Sequence, residues 1–269
     1  MSEAPLDAVR VAYYLGTLGA FAFLATWESG DTRVATPPHR LRHILRNLGL
    51  FVLVVAIADG VVLGWLMQIP SRLTESNGLL TALSLPTLAM LAIGFVLADF
   101  FDYAFHRLLH RWRWLWLIHS VHHSDTHLDV STGGRFHPLE VSLEVALKSA
   151  MFLALGIPPW IEGARAVVLN PLNLLQHANV EYPRWIERRL GWLLVTADMH
   201  RIHHSPEMRE TNSNFGAVFS FWDRMFGTYV APDLARVPTY GLRKLTTDAW
   251  QTVTGMMLTP LRARKLGSL

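Results

Sequence analysis

Residues 97–123 read LADFFDYAFHRLLHRWRWLWLIHSVHH. An apolar run closes on Asp99 and Asp102, continues to His106 and His110, crosses an alternation of Arg and Trp, and ends on His119, His122 and His123. A third cluster, MHRIHH, supplies His200, His203 and His204 with the same H-x2-H-H spacing as the second. On a helix, residues three and four apart share a face. Each cluster is therefore expected to lie within an arc of about 100° and to aim its imidazoles at one point. Imidazole is the commonest metal ligand among side chains. Eight imidazoles from three segments exceed the needs of one four-coordinate ion, so the count implies two metals. A chain with thirteen histidines can show one H-x3-H by accident, but not three ordered clusters of which two share a spacing.

The composition sets the surroundings. The chain is 51% hydrophobic and only 17% charged, with a mean hydropathy of +0.24, which is too apolar for an ordinary soluble domain. The absence of cysteine excludes disulfides, thiolate-ligated haem, cysteinyl iron–sulfur clusters and Cys-type zinc sites together. A net charge of +3 raises nucleic acid as a partner, but the basic residues are mostly Arg beside apolar runs, as in cytoplasmic membrane loops, and no nucleic-acid partner is expected. Three lysines against 21 arginines point to a GC-rich bacterial source, and hence to a bacterial inner membrane. MSEAPLDAVR makes a poor signal-peptide start, so the run after it is expected to be a retained membrane helix.

Residues 11–27, 48–67 and 79–101 are the candidate spans, the second interrupted by Asp59 and the third kinkable at Pro86. Loop 28–47 carries Arg33, Arg40, Arg42 and Arg46, whereas loop 68–78 carries Arg72 alone. The positive-inside rule then places 28–47 in the cytoplasm and the N-terminus and 68–78 outside, so the first histidine cluster begins on the cytoplasmic face. The RWRWLWL segment suits the headgroup zone. Residues 145–176 are apolar but broken by Pro158-Pro159, and read as a helical hairpin entering and leaving on the cytoplasmic side. From residue 178 the chain is more polar and should form a cap. The expected fold is an all-α integral membrane helical bundle with a cytoplasmic histidine-rich di-metal cap, divided into N-terminal transmembrane helices at 1–101 and a catalytic region at 102–269.

The order H-x3-H, H-x2-HH, H-x2-HH after apolar helices resembles the sterol desaturase/fatty acid hydroxylase superfamily of membrane di-iron enzymes. HSVHHSDTHLDVSTGGRFHPLE, NLLQHANV, DMHRIHHSPEMRETNSNFG and FWDRMFGTY strengthen the resemblance, which covers roughly residues 95–230. It implies two irons at the cytoplasmic membrane face that use O2 to hydroxylate or desaturate an unreactive C–H bond of a lipid, with zinc able to substitute on purification. It implies His106, His110, His119, His122, His123, His200, His203 and His204 as ligands, and His137 and His177 as further ligands. His39, His43 and His127 are expected to be non-ligands, the first two lying in the Arg-rich loop near the headgroups. Metal-bound histidines usually donate their other N–H to an acid or a carbonyl. Asp99, Asp102, Asp125, Glu140, Asp198 and Asp223 are the acids placed to accept.

Oxygen activation needs two electrons. Some relatives carry a fused cytochrome b5 domain with an HPGG haem motif; here the only His-Pro is His137-Pro138, followed by Leu-Glu, and no Gly-rich dinucleotide fingerprint is present. A separate ferredoxin or cytochrome b5-type donor with its reductase is expected, docked on Arg188, Arg189, Arg201, Arg209 and Arg224. The candidate substrates are sterol, fatty acyl, sphingoid and ether lipids. A carotenoid or isoprenoid hydroxylase of the same metal chemistry is one alternative; a metal-handling membrane protein is another. The latter is disfavoured because the histidines flank the spans and Asp59 is the only ionisable group in mid-span.

Overall fold

The computed structural model describes residues 4–58, 78–232 and 239–266. The second half of the 48–67 span with Asp59, and the 68–78 loop with Arg72 up to residue 77, lie outside the described residues. Among the described residues the fold is helical, with no strand and two isolated bridges, Thr32 to Val180 and Leu194 to Phe219.

α1 (Ala4–Gly30) and α2 (Arg40–Ala58) come first. The segment expected as loop 28–47 is thus helical at both ends, and His43 sits on α2. A single turn, α3 (Leu79–Ala82), precedes α4 (Thr87–Arg111). The expected 79–101 span is broken here, because Ser84 adopts a positive φ of 47° and Pro86, with no N–H to donate, occupies the N-cap of α4. The helix instead runs on through both histidines of the first cluster. Of the described helices, α4 alone is long and apolar enough to cross a membrane.

Trp112 is extended (φ −104°, ψ 122°) and interrupts the helix for one residue before α5 (Arg113–His123). That break folds α5 back on α4, so that the histidines of 106–110 and 119–123 face each other. A 3-10 turn, Val130–Gly134, leads to α6 (Pro138–Leu155), with Pro138 at its first position, where a missing N–H costs nothing. Gly156, at φ 69°, ends α6, and Pro159 caps α7 (Trp160–His177). The 145–176 segment therefore forms two helices joined by a short turn. Their meeting with α4 requires Gly94: a Cβ there would lie 2.9 Å from Ile161 Cδ1. Leu80, Met90, Ala98, Phe152, Ile157 and Ile161 form the core at this end.

The remaining chain forms short helices: α8 (Arg184–Leu190), α9 (Ala197–His203), α10 (Met208–Thr211), α11 (Phe221–Met225), α12 (Asp248–Gln251) and α13 (Val253–Ala263). α1 lies along α7, and Glu28 near its end accepts from the backbone N–H groups of Val130 and Asn179. Asn47 of α2 donates to Asp125 and Ser131 and accepts from the fully buried Arg135. The two N-terminal helices are thus packed into the same body as the histidine-bearing segments.

Candidate metal centre

α4 presents His106 and His110, α5 presents His119, His122 and His123, α7 ends on His177, and α9 presents His200 and His203 with His204 at its C-cap. Thr196 starts α9 by accepting from Met199 N–H, which sets the phase of the last triplet. Nine imidazoles converge in two adjacent groups. His106, His110, His119, His123 and His203 form the first; His122, His177, His200 and His204 form the second, with candidate ligand atoms in each group within 4.8 Å of one another. The groups touch, the rings of His123 and His204 stacking at 4.6 Å.

The structure corrects the expectation that each triplet aims at one point. The i, i+4 pairs stay together (His106/His110, His119/His123, His200/His204), but the remaining member of each triplet crosses over. His122 leaves the first group for the second, and His203 leaves the second for the first. Residues i and i+3 diverge by about 60° on a helix, enough to reach different points when the target is close. Each triplet therefore ties both groups to one rigid turn.

The outer hydrogen bonds fix which nitrogen faces inward. His106 Nδ1 donates to Phe215 O at 3.0 Å, His122 Nδ1 to Arg135 O at 3.2 Å, His177 Nδ1 to Asn173 O at 2.7 Å and His203 Nδ1 to Ser213 O at 2.7 Å. His119 Nδ1 lies 2.7 Å from Glu140 Oε1. A carbonyl only accepts, so a neutral ring that donates from Nδ1 keeps a lone pair on Nε2. The consequence is a mismatch inside the second group, where His122 Nε2 lies 3.1 Å from His177 Nε2 and both rings donate from Nδ1; in the first group His106 Nε2 lies 3.1 Å from His119 Nε2. His200 Nε2 stands 2.9 Å from His177 Nε2 and 3.1 Å from His204 Nε2. In the His122–His177 pair acceptor faces acceptor in a buried site, and both ring nitrogens of His123 and Nε2 of His203 have no hydrogen-bond partner. Burial first, then the neighbouring imidazoles, pushes His122, His123, His200, His203 and His204 well below the ordinary histidine value, so these rings stay neutral and able to ligate. Two cations, one per group, fit this donor set.

The structure does not bring His137 to either group. Its Nδ1 accepts from Leu139 N–H as the N-cap of α6, and its Nε2 is 3.2 Å from Met257 O. His127 stands outside both, beside Thr126. His43 is not a headgroup residue: its ring is clamped between Asp125 (2.7 Å) and Asp129 (2.9 Å). Burial pushes its pKa down, but the two carboxylates outweigh that and hold it up at about 10.

Of the six acids expected to support the ligands, Glu140 alone contacts a clustered histidine. Asp99 accepts from Val218 and Phe219 N–H and from Trp222 Nε1, Asp223 accepts from Phe215 and Gly216 N–H, Asp198 pairs with Arg201, and Asp102 pairs with Lys148 and Arg165. Backbone carbonyls do most of the orienting, and a sequence marks no particular carbonyl. One signal was legible in NSNFG. Asn214, at φ 51°, is a residue type that tolerates the left-handed region. It donates to Met199 O and Val230 O, pinning the loop that delivers Ser213 O and Phe215 O.

Residues 91–228 match the fatty acid hydroxylase family, and the chain belongs to it, within the sterol desaturase/fatty acid hydroxylase superfamily. It is 34% identical over 151 residues to an ornithine lipid hydroxylase, OlsE, of Rhizobium tropici, covering 55% of this chain and 44% of that protein. It is 34% identical over 158 residues to an alkylglycerol monooxygenase of Xenopus tropicalis, covering 55% of this chain and 32% of that one. A cholesterol 25-hydroxylase-like protein of Danio rerio is 29% identical over 187 residues, 67% of this chain and 69% of that protein. The chain thus spans less than half the length of the first two relatives. No solved structure matches it.

Proposed function

We propose that this chain is the di-iron catalytic region of a membrane-bound lipid hydroxylase or desaturase. The observation that carries the reading is the convergence of nine imidazoles in two adjacent groups, one of which opposes the Nε2 lone pairs of His122 and His177. His106, His110, His119, His123 and His203 would hold one iron, and His122, His177, His200 and His204 the other, with zinc able to take either place. When bound, the irons supply O2 activation and the oxidising power to break a C–H bond.

The protein's own groups do the rest. The carbonyls of Phe215, Arg135, Asn173 and Ser213, with Glu140, hold five rings in the tautomer that offers Nε2. The all-imidazole donor set leaves more positive charge at the centre than bridging carboxylates would. The centre lies near the end of the apolar helix α4, which supports a reading with the histidine side cytoplasmic and a lipid chain in the bilayer reaching it from below. The names of the first two relatives favour a polar ornithine-type or alkylglycerol lipid, and that of the third a sterol. Electrons come from a redox group outside these residues, since they hold no thiolate and no HPGG haem motif. Of the arginines expected to dock it, Arg201 is buried against Asp198 and two carbonyls, and Arg224 is packed on Trp192 and Tyr229.

The test is reconstitution of the iron-loaded chain in lipid nanodiscs with a ferredoxin or cytochrome b5, its reductase and NADPH, followed by mass spectrometry of the lipids. A gain of one oxygen or a loss of two hydrogens supports the reading. Metal analysis finding fewer than two ions in folded protein would overturn it.

A further inference from the structure

α8 reads RWIERRL, and the fold sorts its residues sharply. Glu187, its only acid, is buried and accepts from Tyr182 OH. Arg184, Trp185, Arg188, Arg189 and Leu190 are exposed, and the chain leaving the helix exposes Trp192 (72%) and Leu193 (54%). This surface is held rigidly: the Arg224 guanidinium lies 5.0 Å from the Trp192 ring and donates to Gly191 O. α11 adds Met225, and Phe226 follows at its C-cap, both exposed. An apolar surface rimmed by cations of one sign is unusual on a water-facing cap.

The patch is not isolated. Phe226 stands 5.8 Å from Phe100 of α4, and Trp222 stands 4.9 Å from it. Phe100 closes a stripe of exposed apolar residues along α4 that includes Leu88, Ile93 and Val96. At the same level Asp99 anchors the 218–222 loop to α4. The stripe on the membrane helix therefore runs without a break into the aromatic surface of the cap.

We infer that the surface formed by 184–193 and 225–226 is a membrane-contact face, seated in the headgroup zone of an anionic bilayer with Trp185, Trp192, Leu193 and Phe226 reaching the acyl boundary. Trp is at home there because its ring is amphipathic, and exposed arginines beside it pair with lipid phosphates. Continuity with the α4 stripe sets the depth, and the inward turn of Glu187 removes the one charge on α8 that an anionic surface would repel. The cap is thereby laid on the bilayer rather than held above it, and Arg188 and Arg189 become lipid contacts instead of a docking site for an electron donor. The inference rests on α4 lying in the bilayer, as proposed above.

The cysteine-free chain makes the test direct. Single variants Leu193→Cys, Phe226→Cys, Val96→Cys and Arg243→Cys are spin-labelled in full-length, metal-loaded protein in nanodiscs, keeping those with parental metal content. Collision with O2 against a water-soluble nickel chelate then gives depth. Val96 should read deep, Arg243, an exposed charge beside Glu207, should read water, and 193 and 226 should read the headgroup–acyl boundary. Raising the phosphatidylglycerol fraction should deepen 193, and Arg188→Gln with Arg189→Gln should abolish that dependence. If 96 is deep while 193 and 226 read water, the contact face is wrong and the membrane reading stands. If 96 reads water, the membrane reading itself fails. Short label-to-label distances at 193 would make the patch a face between two copies and overturn the proposal.

Discussion

Two buried polar clusters lie one helical turn apart on α4, and they are built on opposite principles. At His106 and above it, nine neutral rings crowd together with too few hydrogen-bond partners among them, and His122 and His177 point lone pairs at each other. At Asp102, just below, every charge has a counter-charge: Lys148 Nζ is 2.6 Å from Asp102, 2.9 Å from Glu144 and 3.4 Å from Glu162, and Arg165 lies 2.6 Å from Asp102 and 2.7 Å from Glu162. The lower cluster finds its ion-pair partners within the protein and ties α4, α6 and α7 together. The upper one is incomplete without cations. Both clusters crowd polar groups inside the protein, so crowding alone does not mark a ligand site; whether the groups find partners within the protein does.

The sharpest way to break this contrast is to remove one group from each cluster. His122→Ala or His203→Ala should abolish activity and lower the metal content of its own group, because a centre of this kind acts as a unit. Each variant is checked by metal analysis alongside turnover. Asp102→Ala should instead leave Lys148 and Arg165 underpaired inside the protein and destabilise it by about 3–5 kcal/mol, while any protein that folds still binds two metals. If Asp102→Ala lost metal as His203→Ala does, the two clusters would be one site.

Smaller changes sharpen the same division. Glu140→Gln keeps the shape but weakens the hold on His119, and metal affinity in the first group should fall by about 10–100-fold. The His43 clamp is structural and should be read as stability against pH. Its folded pKa, about 10, lies above the ordinary 6.5, so the stabilisation is fully present below about pH 6.5 and is lost as pH rises towards 10. The gap in melting temperature between the parent and His43→Gln should therefore shrink between pH 7 and pH 10, with metal content equal in both at pH 7. His137→Ala should have the smallest effect, about 1 kcal/mol for a lost N-cap, with two metals retained.

Much of the centre was legible in the sequence because metal binding is local in its demands. H-x3-H and H-x2-H-H are spacings that a single helical turn converts into shared faces, and His177 was found through the family resemblance of NLLQHANV. His137 looked equivalent on the same grounds, yet Pro138 starts a helix immediately after it, and an N-cap ring turns back onto its own backbone. The acids were the least legible. Asp102 precedes His106 by four, the spacing of a contact, but Lys148 and Arg165 arrive from distant segments and take it. Arg201 misled for the same reason: exposure cannot be read from residue type, and it is buried by partners more than twenty residues upstream, whereas Arg188, Arg189 and Arg209 are exposed.

The sequence by itself determined the chemistry of this protein: no thiolates, an apolar helical chain, and histidines at helical spacing in numbers that exceed the needs of one four-coordinate ion. Those facts depend on composition and on contacts within four residues, which a single helix already fixes. Only the tertiary structure decided how the ligands divide. The break at Trp112 folds α5 onto α4, and the turn at Gly156–Pro159 returns α7 so that His177 arrives. The loop pinned by Asn214 then sends His203 to one group while His200 and His204 serve the other. A residue three positions along a helix can face either of two nearby points, and which one it faces is set by what packs opposite.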